Sequence, residues 1–376
     1  MKKVIFCIIL LYSCSCRNGD EQKLKTVFFD RFSRVPLHEI LELSYIKPET
    51  TDSCLFGFFD QIATVKDFLL ILEDDKVFVL DKKGSYITQI NCRGEGPGEY
   101  LSLASFFIDE KNGMICLIDD LSKKALFFGL DDFQFVSEMK MPFTASCASF
   151  LPDGTVIWNN REYLPEGVCR NDHFVQTDRN MNIAGSFVKK EFISGYLTGS
   201  QISIYNVEGN TFAYTPFSPV IYRICQNEVS PSFQLSFFDR QFPPGEFLRE
   251  KSANNASYIN ALIKSGYVSH FKVEENVHDM CVFYIAGEQR FIGLYDRTNE
   301  RTYHCTFDDF QTELQTGNVF TYIASGKVDD YYVMPLLPSE LKLKKEDGYV
   351  FSEPLDSLIN QSGEDDNPIL FLFRLL

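Results

Sequence analysis

The segment Phe68-Leu69-Leu70-Ile71-Leu72-Glu73-Asp74 returns 46 residues later as Met114-Ile115-Cys116-Leu117-Ile118-Asp119-Asp120. Lys76-Val77-Phe78-Val79-Leu80 then returns as Lys124-Ala125-Leu126-Phe127-Phe128 at an offset of 48, after a two-residue insertion. Each copy is a pair of short apolar runs parted by an acidic turn. A repeat of about 45 residues made of four short strands is the unit of a β-propeller blade. One blade cannot bury both faces of its own sheet, whereas a closed ring buries every face and hides most edges.

Further copies follow, with more divergence. Turn chemistry at Lys82-Lys83-Gly84, Lys111-Asn112-Gly113, Pro152-Asp153-Gly154, Glu208-Gly209-Asn210 and Arg297-Thr298-Asn299 breaks the chain every 8 to 12 residues or so, as antiparallel hairpins require. A third copy begins at Ser146-Cys147-Ala148, a fourth covers Gln201 to Phe238, a fifth Phe271 to Phe307, and a sixth Val319 to Leu337. At roughly 45 to 55 residues per blade the chain has room for six or seven, and six fits the runs. The expected fold is all-β: a six-bladed β-propeller of four-stranded antiparallel blades over residues 37–376. One helical insertion is expected near 244–264, where Phe247, Leu248, Ala256, Ile259, Leu262 and Ile263 recur at nearly helical spacing. The alternating segment His38–Tyr45 precedes the first blade and is predicted to complete the last one. Hydrophobic residues at 45% and aromatics at 15%, 36 of them Phe, suit half-buried sheet and exclude a disordered chain.

The N-terminus reads as an address. Met1-Lys2-Lys3 and the run Val4–Leu11 are far shorter than the ~20 residues of a membrane span and match an export signal. Leu11-Tyr12-Ser13-Cys14 resembles the lipobox of bacterial lipoproteins, in which the cysteine thiol takes a diacylglycerol and becomes the mature N-terminus. Cys14 fits best and Cys16, after Ser15, is the alternative; an ordinary secretory signal is the plainer reading. Residues 1–16 are thus signal and anchor, and 17–36, opening with Arg17-Asn18-Gly19-Asp20-Glu21, a tether. The pair Asp20-Glu21 also resembles surface-export signals of some Gram-negative gut anaerobes. Two acyl chains anchor a soluble body without a spanning helix, at the outer membrane or cell surface, with the periplasmic side as the alternative.

The formal charge of −16 becomes −18 once Lys2 and Lys3 are removed, and it repels phosphate backbones, so nucleic acid is not an expected partner. Eight body cysteines, Cys54, Cys92, Cys116, Cys147, Cys169, Cys225, Cys281 and Cys305, are never closer than 22 residues. This gives no zinc-ribbon spacing and reads as buried free thiols, although a disulfide between facing strands stays open.

Between the two best repeats stands Arg93-Gly94-Glu95-Gly96-Pro97-Gly98-Glu99-Tyr100, framed by Asp81-Lys82-Lys83-Gly84 and by Phe107-Ile108-Asp109. Together with Ser218-Pro219-Val220-Ile221-Tyr222-Arg223-Ile224, this resembles the six-bladed β-propeller lipoproteins of Gram-negative gut anaerobes, relatives of NHL-repeat propellers. The resemblance implies the fold and the lipid anchor, but no activity. Glycines permit positive φ and Pro97 fixes one φ, so the motif suits a rigid crossover between blades. Neither a following helix nor a Walker lysine supports a phosphate cradle. Crossovers commonly frame ligand sites in propellers, which makes Arg93, Glu95, Glu99 and Tyr100 candidate binding residues.

Catalytic constellations are scarce. The five histidines, His38, His173, His270, His278 and His304, show no metal-ligand spacing, and there is no nucleophile elbow. Acidic doublets such as Asp74-Asp75, Asp119-Asp120 and Asp329-Asp330 read as hairpin ends, with calcium as the sharper reading. Trp158, beside Asn159, Asn160 and Arg161, is a core residue or a sugar platform, so Trp158 and Arg161 join the candidates. No cofactor and no catalytic residue is expected. The leading expectation is a binding or scaffold module for a glycan, peptide or protein; the alternative is a hydrolase or lactonase with one divalent ion held in the channel by Glu, Asn and Asp side chains.

Overall fold

In a computed structural model the described residues are 24–29, 36–161, 171–190, 203–226, 228–238, 240–251, 255–319 and 322–376. Two strands precede the first blade, β1 (Lys25–Phe29) and β2 (Leu41–Ile46). Blade 1 comprises β3 (Gln61–Val65), β4 (Phe68–Glu73), β5 (Lys76–Asp81) and β6 (Tyr86–Ile90). Blade 2 comprises β7 (Leu103–Asp109), β8 (Met114–Asp119), β9 (Lys124–Gly129) and β10 (Phe135–Lys140). Blade 3 follows with β11 (Ala148–Phe150), β12 (Val156–Asn159), β13 (Asp172–Thr177) and β14 (Ile183–Lys189). Blade 4 is built of β15 (Ile204–Val207), β16 (Asn210–Tyr214), β17 (Val220–Cys225) and β18 (Glu228–Phe237). The helices α1 (Gly245–Lys251) and α2 (Asn255–Ser265) lead into blade 5, which comprises β19 (Val268–Glu275), β20 (Asp279–Ala286), β21 (Gln289–Asp296) and β22 (Arg301–Thr306). After α3 (Phe307–Glu313) come β23 (Lys327–Val328), β24 (Tyr331–Leu336), α4 (Pro338–Glu346), α5 (Glu353–Asn360) and β25 (Ile369–Leu375). Within each of the first five blades strands pair in chain order, and the antiparallel pattern makes this the expected six-bladed propeller.

The middle strands are apolar at almost every position because both faces are covered. On β4, Leu70 and Leu72 point into the seam with blade 2, against Phe106, Ile115, Leu117 and Leu126. Their neighbours Leu69 and Ile71 point the other way, against Val333, Leu370 and Leu372 of the last blade. A period of two thus serves two cores at once, and each fully buried side chain of this kind contributes about 1.5–3 kcal/mol.

Blade 6 closes the ring. Its strand order is β2-β25-β24-β23, so the N-terminal β2 forms the outermost strand of the C-terminal sheet. Register runs antiparallel from Leu41↔Leu375 to Ile46↔Leu370. Arg374 Nη2 lies 2.6 Å from Glu42 Oε2 across the pair. Ile40 and Leu43 pack against the core between blades 5 and 6, as expected for a closing strand. Buried Asp279 of blade 5 ties the seam: it accepts from Asn276 Nδ2 at 2.9 Å, from the Leu375 amide at 3.3 Å and from the Tyr332 hydroxyl.

Three parts of the chain differ from the sequence reading. The sixth blade does not end at Leu337; its third strand, β25, is delayed by α4 and α5, whose Leu341, Leu355 and Ile359 cover the closing sheet. These helices, and α3 with its Thr306 cap accepting from the Asp309 amide at 3.0 Å, are too short to declare a helical period. The expected tether 17–36 is interrupted by β1, which pairs parallel with β18 as a fifth strand of blade 4. Five residues at an edge carry too little pattern to be recognised. Their alternation is nonetheless used: Val27 and Phe29 are buried while Phe28 is exposed.

Phe29 is the pin of this strap. Its fully buried ring lies 5.6 Å, centroid to centroid, from Phe237 of blade 4 and 6.2 Å from His304 of blade 5. Gly293 makes room for it, since a Cβ there would stand 2.5 Å from Phe29 Cδ1. No described helix is long and apolar enough to cross a membrane. Phe29→Ala is expected to cost about 3–5 kcal/mol, measured by chemical denaturation; a loss below about 1 kcal/mol would show that the strap packs loosely.

Candidate functional site

Strand direction gives the ring two unlike faces. Links between blades and the turns between second and third strands lie on one, the crossover face. Hairpins joining first to second and third to fourth strands lie on the other, the hairpin face.

The glycine-rich motif is a crossover, from β6 to β7, and its polar groups are already engaged. Tyr100 is fully buried; its hydroxyl donates to the Asp75 carbonyl at 2.8 Å and accepts from the Cys92 amide at 3.1 Å. Burial pushes its phenol up to about 12. Glu99 folds back to accept from the Gly96 amide at 2.7 Å, and Glu138 accepts from the Gly98 amide at 2.9 Å. The loop amides therefore hold the chain's own carboxylates, where a phosphate cradle would leave them open. Gly98 has φ +77°, and a Cβ there would meet the Phe135 ring at 3.0 Å, so glycine is required. Arg93 reaches toward Asp75 at 3.8 Å, and Glu95 is exposed.

Trp158 is core. It is fully buried, its Nε1 donates to Thr177 Oγ1 at 2.9 Å, and Phe107 and Phe143 meet it edge-on. No ring face is left for a sugar. Arg161 pairs with Asp120 at 3.5 Å, also on the crossover face. The acidic doublets are likewise spoken for: Asp75 accepts from the Leu103 amide at 2.7 Å and Asp119 from those of Leu101 and Ser122 at 2.8 and 2.9 Å. Asp329 pairs with Lys82 at 3.0 Å. Among the described residues no group of three His, Cys, Asp or Glu is arranged to hold a metal ion. The described body cysteines are free thiols; Cys169, Cys14 and Cys16 lie outside the described residues.

The space a ligand can enter is on the other side. A cavity of about 1000 Å³ runs down the central channel and opens on the hairpin face, and its lining contains none of the six expected binding residues. Its walls are the innermost strands. Phe107 and Phe150 lie 5.0 Å apart at its side. Arg179 stacks its guanidinium 5.4 Å from the Phe150 centroid and pairs with Asp109 at 3.2 Å. Asn206 donates to Ser149 Oγ at 2.8 Å and accepts from Thr211 Oγ1 at 2.9 Å. Gln61 bonds both polar groups of the Phe106 backbone at 2.9 Å, bridging blades 1 and 2. Two fully buried hydroxyls, Ser105 Oγ and Tyr205 Oη, belong to lining residues and have no hydrogen-bond partner among the described residues.

Charge is balanced here although the chain is strongly acidic. Five cations (Lys66, Lys82, Lys111, Arg179, Lys327) line the cavity with five anions (Asp109, Glu110, Glu274, Asp329, Asp330). Deeper, burial pushes the Lys272 ammonium down to about 8 against the pull of Glu274, and its Nζ donates to the Ile323 carbonyl at 2.7 Å. Burial also raises the Glu274 carboxyl, which accepts from the Gly326 amide at 2.9 Å. The missed residues did leave a trace in the sequence. Gln61, Ser105 and Asn206 are polar positions inside the apolar first strand of a repeat, where a covered face alone calls for none.

Residues 15–335 match the family model DUF5128, described as a 6-bladed beta-propeller. The chain belongs to this family. A solved structure from Bacteroides fragilis, of a protein described as exported, is 39% identical, covers 94% of this chain and 100% of its own, and superposes with a TM-score of 0.90. A DUF4221 family member from Bacteroides vulgatus is 10% identical over 90% of this chain and 99% of its own, at a TM-score of 0.57, and shares the fold alone. No curated protein matches the chain.

Two outcomes test these assignments. Tyr100→Phe leaves the Cys92 amide short of its acceptor and is expected to cost about 1–3 kcal/mol by urea denaturation; no loss would return Tyr100 to the list of binding residues. Burial, with the charge of Lys272 adding to it, pushes His270 down to about 4 from its usual 6.5. An unfolded chain binds this proton as pH falls below 6.5 while the folded chain refuses it, so His270 removes stability between 6.5 and about 4. His270→Asn is expected to flatten the pH dependence of the denaturation midpoint across that window, and an unchanged slope would refute the assignment.

Proposed function

We propose that the chain is an exported, lipid-anchored envelope module that binds a glycan, peptide or protein segment in the channel on its hairpin face. The observation that carries this reading is a cavity of about 1000 Å³ on the hairpin face, large enough for a ligand and walled by Phe107, Phe150, Arg179 and the exposed Asn206. The balanced rim supports the same reading, because it does not extend the repulsion of the acidic surface to anionic ligands. Phe107, Phe150 and Arg179 offer apolar and planar contacts beside the polar Asn206, a mixture that suits small-ligand sites. Export is supported by the N-terminal Met1–Leu11 pattern and by the description of the Bacteroides fragilis relative. Cys14, with Cys16 as alternative, is the proposed acylation site, at the outer membrane or cell surface.

Oligosaccharide and peptide panels screened by thermal shift against the chain lacking residues 1–16 are expected to yield a ligand. Asn206→Ala and Arg179→Ala should each weaken its binding by about fivefold to tenfold, near 1–1.4 kcal/mol, in calorimetric titration. Glu95→Ala, on the crossover face, should leave binding unchanged. Weakening by Glu95→Ala with no effect of the channel variants would place the site on the wrong face.

A further inference from the structure

We propose that the outer edge of blade 4 rests on the lipid bilayer, so that the ring stands on its rim and its channel runs along the membrane surface. This inference rests on the lipid-anchor reading and adds an orientation to it. Its basis is where the chain first becomes part of the ring. If β2 were the first docked strand, 25 residues would separate it from Cys16, a reach of roughly 80–90 Å when extended. β1 shortens this. Lys25 follows Cys16 by nine residues and Cys14 by eleven, so the edge of blade 4 cannot stand farther than roughly 30–40 Å from an acylated cysteine.

The strap is firmly held. Beyond the five register pairs with β18, Thr302 Oγ1 of blade 5 donates to the Phe28 carbonyl at 2.8 Å and the Phe238 amide donates to the Phe29 carbonyl at 3.0 Å. Lys25 Nζ lies 2.6 Å from Glu300 Oε1. The same edge carries two large apolar side chains in the open: Phe28 is 58% and Phe238 56% exposed. A polar residue at position 28 would keep the buried alternation of Val27 and Phe29, so packing does not ask for phenylalanine there. Exposed phenylalanine rings insert at the headgroup–acyl boundary as apolar anchors. The closest bilayer, at the end of a short leash, is the surface that such a pair fits.

The test places a tryptophan at the edge and another across the ring. A hexahistidine tag ahead of Arg17 replaces the acyl chains, and the protein is bound to phosphatidylethanolamine–phosphatidylglycerol vesicles containing nickel-chelating and brominated lipids. Phe28→Trp is expected to shift to the blue and to be quenched by the brominated chains, after subtraction of the emission of buried Trp158. Ile87→Trp, on the outer strand of the opposite blade 1 and 45% exposed, is expected to show neither effect. Quenching of both, or of neither, overturns the orientation. The anchor is tested separately by incorporation of labelled fatty acid into the full chain: loss of label in Cys14→Ser or Cys16→Ser supports it. Absence of label overturns the anchor reading whatever the vesicles show.

Discussion

Every sheet in this molecule has two apolar faces, and only a neighbour on each side can cover both. That requirement decides the rest. Leu70 and Leu72 of β4 serve one seam while Leu69 and Ile71 serve the next, so removing any blade would strip two cores. An open row of blades would leave a bare face at each end, and the ring is the arrangement with no end. Its weakest point is then the seam where the chain's two termini meet, and interactions concentrate there: six register pairs between β2 and β25, the Glu42–Arg374 pair and the buried Asp279 junction.

The same requirement explains what the sequence disclosed. Blades 1 and 2 were legible because both seams press the same apolar pattern onto their middle strands, and the closing segment His38–Tyr45 was legible because it alternates. Legibility failed where a constraint is local or absent. β1 is an edge strand whose partner lies more than 200 residues away, and its five residues carry no repeat. The sixth blade is interrupted by α4 and α5, which move β25 well past the expected boundary. α3 and α5 start at capping residues, Thr306 and Ser352, yet neither is long enough for a helical period to stand out against strand-like surroundings.

The residues that stand out in the sequence and the residues that line the channel differ for a related reason. Unusual residues attract attention, and Arg93–Tyr100 is the most unusual stretch in the chain, but its chemistry is turned inward: Glu99 and Glu138 accept from the loop's own amides, and Tyr100 donates to the Asp75 carbonyl in the β4–β5 turn. The acidic doublets behave alike, capping turns through Asp75 and Asp119. Channel-lining residues leave a quieter mark. They are single polar positions in the first, innermost strand of a repeat, such as Asn206 within Ile204–Val207.

The strap and the closing strand together place one condition on how the ring is completed. Phe29 needs Phe237 and His304, from blades 4 and 5, before it has a pocket, and β2 needs β25 at the far end of the chain. The first segments made are thus among the last to find their partners, and contacts of such long sequence separation fold slowly. Until the C-terminal strand arrives, blade 1 also lacks its partner across the closing seam. A chain with this dependence stays open while it is being made, which is compatible with passage across a membrane before folding. It also means that the two N-terminal strands act late, and act together: β1 bridges blades 4 and 5, β2 completes blade 6, and these first strands of the chain become the belt that holds the second half of the ring.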